Sequence, residues 1–214
     1  MVCVIVLIAL IFLAPQYGWQ LRAWLGRPTA AQDANSTALT AENQALEAQL
    51  SVLQGVASQL PSVPAGTVPA IVYSRYPLNF KNEILVNVGA NENVTTGTAA
   101  LFQGVYIGSV EKTFPGTSLI QTVFDGNFKM PVRVGSAGYD ALFVGGAAPR
   151  VTTLAKTAAV RPGDIVYTAG EGVPYGLPIG IVQSTSTSPD NLFQEASLGF
   201  AYDMNTVQAV SLVR

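Results

Sequence analysis

Gly104-Val105-Tyr106-Ile107-Gly108-Ser109-Val110 and Gly176-Leu177-Pro178-Ile179-Gly180-Ile181-Val182 share one frame, Gly-x-x-Ile-Gly-x-Val. Upstream, Val94-Thr95-Thr96-Gly97 matches Val160-Arg161-Pro162-Gly163; downstream, Leu119-Ile120-Gln121 matches Leu192-Phe193-Gln194. Three matches in the same order mark two copies of one small unit, over 71–130 and 131–214. Within them apolar residues recur with period two, in short runs broken by Gly, Pro, Asn and Asp. The runs 84–88, 104–110, 119–124, 141–144, 164–168, 178–183 and 208–213 read as strands. No stretch after Ile71 sustains a helical period, so this part is all-β, in barrels or a sandwich. Gly104, Gly108, Gly176 and Gly180 are structural repeat positions. A glycine inside such a strand marks a bulge or a tight corner where a side chain would clash.

Working back towards the N-terminus, Pro61, Pro64, Gly66 and Pro69 make 61–70 a stiff, extended hinge. Before it, Leu39, Leu46, Leu53 and Leu60 recur every seventh residue, which predicts a coiled-coil helix over 36–60. With these leucines at d, Asn43 and Leu50 fall at a, and the dimer seam is Leu39, Asn43, Leu46, Leu50, Leu53 and Leu60. Asn43 satisfies its amide only against its mate in a parallel, in-register pair, so it selects register at a cost in stability. The competing reading is an amphipathic helix packed on the chain's own β units, and the interior Gly55 argues for it.

Residues 26–35 read as a linker and 1–25 as a single membrane anchor. Residues 2–14 are continuously apolar and span roughly 20 Å as a helix, short of the roughly 30 Å hydrocarbon core. Extension through Tyr17, Trp19, Leu21 and Trp24 makes up the length and supplies an interfacial aromatic belt. A cleaved signal peptide is the alternative, but no basic leader precedes the apolar run. Arg22 and Arg27 follow the span, and by charge alone would hold that side in the cytoplasm. A start further upstream with basic residues would remove the conflict.

The 214 residues are 49 % hydrophobic and 11 % charged, with a formal charge of −2, which argues against a nucleic-acid partner. One cysteine excludes a disulfide framework and a multi-thiolate metal site. There is no histidine. Ser-His-Asp and Cys-His nucleophiles and zinc-hydrolase sites are therefore excluded, and no cofactor or metal is expected. Ser109-Val110-Glu111-Lys112 spells S-x-x-K, but that chemistry needs a helix start, and this segment reads as strand. Gly170-Glu171-Gly172-Val173-Pro174-Tyr175-Gly176 misses the dinucleotide-loop spacing and reads as a turn. Asp125, Asp140, Asp164, Asp190 and Asp203 are scattered among turns, as loop caps are.

An anchor, a short coil and a duplicated β domain together resemble the rod shape-determining MreC family of bacterial cell-wall elongation. The local sequence is similar as well, in Asn82-Glu83-Ile84-Leu85-Val86-Asn87-Val88-Gly89-Ala90 and Val94-Thr95-Thr96-Gly97. So are Gly163-Asp164-Ile165-Val166-Tyr167-Thr168-Ala169-Gly170, running into Gly176-Leu177-Pro178-Ile179-Gly180, and Leu192-Phe193-Gln194-Glu195-Ala196. The resemblance implies two barrels in a chymotrypsin-like arrangement without protease activity. It also implies a homodimeric, self-assembling scaffold on the extracytoplasmic side of the cytoplasmic membrane. Its implied partners are MreB, MreD and a penicillin-binding transpeptidase. Strand edges are the expected sites of self-association or strand addition. The alternative is a periplasmic adaptor of an efflux or secretion complex, which calls for a helical hairpin leaving and re-entering the β part. An envelope hydrolase using Ser-Lys or paired carboxylates ranks third.

Overall fold

The computed structural model describes residues 29–59, 66–77 and 82–213. The expected anchor over 1–25, Leu60 and the hinge up to Ala65 lie outside them. Among the described residues no helix is long and apolar enough to cross a membrane. The chain divides into two compact units, 1–53 and 54–214.

Helix α1 (Thr29–Gln59) begins inside the stretch expected as linker. Ala30, Ala31 and Gln32 are good helix formers, so the helix is under way before the heptads start. Its seam faces solvent: Leu39, Leu46, Leu50 and Leu53 are 49–59 % exposed, and Asn43 is exposed. The end of α1, from Gln54, belongs to the β unit and is fixed to it. Val56 is buried. Gln59 Oε1 accepts from the backbone N–H groups of Gln208 (2.7 Å) and Ala209 (3.2 Å), while its Nε2 donates to the Thr206 carbonyl (3.0 Å). Gly55 has its reason here, because a Cβ would stand 2.8 Å from Gln208 Oε1.

Twelve strands follow: β1 (Thr67–Pro77), β2 (Asn82–Val86), β3 (Ala99–Phe102), β4 (Val105–Thr113), β5 (Ser118–Thr122) and β6 (Lys129–Val134). The rest are β7 (Tyr139–Val144), β8 (Arg150–Leu154), β9 (Ile165–Thr168), β10 (Pro178–Thr187), β11 (Gln194–Gly199) and β12 (Ala209–Val213). They form two closed barrels, β1-β12-β3-β4-β5-β2 and β10-β11-β8-β7-β6-β9. Read from β3, the first runs β3-β4-β5-β2-β1-β12; read from β9, the second runs β9-β10-β11-β8-β7-β6. The two circuits superpose strand for strand, with β12 in the place of β6. Each repeat therefore gives five strands to one barrel and its sixth to the other.

This exchange corrects the expected units. β6 closes the second barrel between β7 and β9, and β12 returns to close the first between β1 and β3. The repeat in the sequence identifies the copies but not the barrel that receives each sixth strand. β6 and β12 carry the same alternation, with Met130, Val132 and Val134 buried in one and Val210 and Leu212 in the other. The hinge is also shorter than expected, since Thr67–Ala70 already pair with β12.

Equivalence extends to single hydrogen bonds. Gly97 N–H donates to the Val110 carbonyl (2.8 Å), and Gly163 N–H to that of Val182 (2.9 Å). Ladder register shifts at the Ile107-Gly108 pair on β4 and at the Ile179-Gly180 pair on β10. The third sequence match does not hold. Val110 faces Ile120 and its counterpart Val182 faces Leu198, so Ile120 corresponds to Leu198. Leu192 and Phe193 lie in the connection ahead of β11.

The first barrel is filled by Ile84, Val86, Ile107, Val110, Ile120 and Leu212. The second core centres on Phe143, Val151, Leu154, Val166 and Ile179, and continues onto the outer wall of the first barrel through Ala99, Leu101 and Tyr106. β3 is consequently buried on both faces, and its Ala-Ala-Leu-Phe shows no period of two. Closure leaves neither barrel an open edge, which corrects the expectation of docking along strand edges. What these barrels can present to a partner is their side chains.

Candidate functional site

Among the repeat glycines, Gly104 and Gly176 occupy the turns before β4 and β10 with φ of +84° and +82°, where an L side chain is strained. Gly108 lies against the neighbouring strand: a Cβ would stand 2.2 Å from the Gln121 carbonyl oxygen. Gly180 is looser, with the Gly199 carbonyl oxygen at 3.0 Å. All four shape the barrels.

The scattered aspartates are each held by neighbours. Asp125 is buried and accepts from Asn82 N–H (3.0 Å), Gln121 Nε2 (2.9 Å) and Asn127 N–H (2.8 Å), pinning the crossover from β5 to β6. Asp164 accepts from Arg161 N–H, Asp203 from Asn205 N–H, and Asp140 pairs with Arg133 at 3.1 Å. Asp190 accepts from the Ser188 hydroxyl and from Leu192 N–H, in that order of effect, and its carboxyl is held below its ordinary pKa. Among the described residues no three of His, Cys, Asp and Glu gather as metal ligands would. Ser109 and Lys112 both lie on β4, with a register shift between Val110 and Lys112.

The surface offers apolar display instead. In a closed barrel the outward positions face water, yet Ile165 on β9 and Ile181 on β10 are direct cross-strand partners on the outer wall of the second barrel, 36 % and 46 % exposed. Tyr167 and Pro178 form the neighbouring pair, and Tyr167 also stands opposite Arg133 of β6. The Arg133 guanidinium lies 5.8 Å from the ring centre of Tyr175, which is 68 % exposed. An apolar wall with an aromatic and an arginine at its margin has the composition of a protein-binding surface.

A second display sits ahead of β11. Ser188 organises that turn: its N–H donates to the Phe193 carbonyl (2.9 Å), and its hydroxyl oxygen accepts from Phe193 N–H (3.0 Å). Asn191 takes a left-handed conformation (φ +58°) and accepts from Lys156 Nζ at 3.1 Å. The turn is tightly bonded while Leu192 stays 65 % exposed and Phe193 40 %. Strand-pattern reading missed both displays. The signal available was the unbroken apolar run Ile165-Val166-Tyr167 and the triplet Ile179-Gly180-Ile181, where alternation predicts a polar residue outside.

Two six-stranded barrels from one duplicated unit, with apolar residues displayed on the outside, define a tandem β-barrel protein. The chain belongs to the MreC family: residues 72–214 match the domain described as "Rod shape-determining protein MreC, barrel core". It is 27 % identical over 167 residues to the cell shape-determining protein MreC of Cereibacter sphaeroides, covering 76 % of this chain and 51 % of that protein. It is 26 % identical over 157 residues to MreC of Streptococcus pneumoniae, covering 69 % and 58 %. The chain thus spans about half the length of the curated relatives it matches. Its fold is similar to the crystal structure of MreC from Pseudomonas aeruginosa, with a TM-score of 0.64 and 24 % identity, over 69 % of this chain and 99 % of that one. It is also similar to MreC in a complex between penicillin-binding protein PBP2 and MreC from Helicobacter pylori. That TM-score is 0.56 at 17 % identity, over 69 % of this chain and 98 % of that one.

Proposed function

We propose that this chain is a non-enzymatic scaffold of the bacterial cell-elongation machinery, maintaining rod shape by organising peptidoglycan synthases. The Ile165–Ile181 pair carries this reading, because it leaves apolar surface facing water on the outer wall of a closed barrel. The occupant proposed for it is a penicillin-binding transpeptidase, by analogy with the complex formed by the Helicobacter pylori relative. Residues 1–25 anchor the chain in the cytoplasmic membrane as a single pass, with its bulk on the extracytoplasmic side. Two copies pair along Leu39, Asn43, Leu46, Leu50, Leu53 and Leu60. MreD and MreB complete the proposed assembly, with higher self-assembly through the β units.

The test uses the full chain as bait in detergent-solubilised membranes of its host, with mass spectrometry as readout. Recovery of a penicillin-binding transpeptidase by the natural chain, and its loss with Ile181→Asp, is the expected result. Recovery of a pump and an outer-membrane channel without wall-synthesis proteins would refute the scaffold and favour the adaptor.

A further inference from the structure

We propose that the cleft between the two barrels is a binding site for a neutral glycan segment of one or two sugar rings. The cleft holds about 510 Å³, within the range of small-molecule sites. Its aromatic lining is a cluster of three partly exposed rings. Phe124 and Phe200 have centroids 4.8 Å apart, and Tyr202 lies 5.8 Å from Phe200 and 6.1 Å from Phe124. Asn82 of the first barrel and Gln183 of the second both line it, and Asn205 lies on the connector to β12.

The charged side chains among the described lining residues are already engaged. Arg75 donates from Nε to the Met204 carbonyl (3.2 Å) and from a terminal nitrogen to that of Val207. Asp203 accepts from Asn205 N–H (2.9 Å) and Asn205 Nδ2 (3.0 Å). Among the described lining residues there is one cation and one carboxylate, each bonded to the connector itself, and together they select no net charge in a ligand. The side-chain amides of Asn82 and Gln183 make no hydrogen bond with any described residue. Each presents a donor and an acceptor side by side, the complement of adjacent hydroxyl or acetamido groups. The buried Tyr202 hydroxyl has no partner among the described residues, and burial raises its pKa, so it stays protonated.

Apolar ring faces combined with paired amides suit a molecule that is apolar on its faces and polar around its edge, as a pyranose is. An extended peptide is disfavoured because it needs a free strand edge, and both barrels are closed. A phosphate-bearing ligand would need an unengaged cation, and the described lining residues supply none.

The test titrates the full chain in a sugar-free zwitterionic detergent with tetra-N-acetylchitotetraose and with cellotetraose, by calorimetry. Saturable binding of at least one, with Kd at or below about 1 mM, is expected. Asn82→Ala combined with Gln183→Ala should weaken it about tenfold or more, while Thr187→Ala, at an exposed β10 position outside the cleft, should leave it unchanged. Circular dichroism checks that the variants fold. If the double variant does not, Gln183→Ala alone, at an exposed position, should still weaken binding measurably. No saturation by either sugar up to about 10 mM overturns the proposal. So does affinity indifferent to both amides, or saturable binding of an aromatic peptide where neither sugar binds.

Discussion

Replacing Gly108 by alanine, and separately Gly180, sets two equivalent positions of the repeat against each other. At Gly108 the new Cβ would lie 2.2 Å from the Gln121 carbonyl oxygen and 2.9 Å from Thr122 Cα, both backbone atoms of β5. Ordinary contact begins near 3.4 Å, so β4 and β5 must part by roughly 1 Å. That separation falls on the pairs Gly108–Thr122 and Ser109–Gln121. Weakening two or three ladder hydrogen bonds costs about 1 kcal/mol each, and overpacking adds about 1–3 kcal/mol. The expected loss is about 3–6 kcal/mol. At Gly180 the nearest atom, the Gly199 carbonyl oxygen, is 3.0 Å away, and a shift of a few tenths of an ångström relieves it. The expected loss there is below about 1.5 kcal/mol. Urea unfolding of the full chain in detergent, followed by far-UV circular dichroism, measures both. Equal losses, or a larger loss at Gly180, would refute the argument that strand approach at the bulge sets the demand for glycine.

Four further outcomes are expected. Leu46→Pro should abolish pairing in sedimentation experiments while the barrels keep their circular dichroism, and Asn43→Ile should tighten the coil but loosen its register in cross-linking; an unchanged mass for Leu46→Pro would sink the coil. Burial pushes the Tyr106 phenol up to about 12 from 10, with Ser109 pulling the other way. A raised acid pKa means the folded state keeps its proton longer, so stability present below pH 10 is lost between about pH 10 and 12, at about 1.4 kcal/mol per unit. Tyr106→Phe should flatten that part of the pH–stability curve, and an unchanged slope counts against it. Leu212→Ala should cost about 2–5 kcal/mol, since Leu212 is fully buried in β12. Because Ala99, Leu101 and Tyr106 join one barrel to the core of the other, the loss should lower the midpoint of a single shared transition. Two separated transitions would contradict it.

Much of the β architecture was legible because half-buried strands write their burial as alternation. The duplication was readable from Gly108 and Gly180, whose spacing to Ile and Val recurs. β3 was not readable, because Ala99–Phe102 is buried on both faces and loses its period. The sixth-strand exchange was invisible for a different reason: β6 and β12 present equivalent apolar faces, and pairing partners far apart in sequence leave no local mark. Gly55 already argues in the sequence for a helix packed on the chain's own β units, but its particular partner, Gln208, lies more than a hundred residues later. The candidate site was least legible of all. Ile165 and Ile181 look like ordinary core isoleucines until the closed circuit shows that they point outward.

The exchange of sixth strands makes the duplicated gene indivisible. A fragment ending after β6 would carry five strands of one barrel with a gap between β1 and β3, plus a strand cut for the other barrel's gap between β7 and β9. The complementary fragment has the reverse deficit. Each half alone exposes two raw hydrogen-bonding edges and invites aggregation. Made together, the halves are a lock with two reciprocal keys, so a split between β6 and β7 is a natural place to build a reassembling reporter. For the same reason, once the two copies had traded strands, neither could be lost or replaced without its twin.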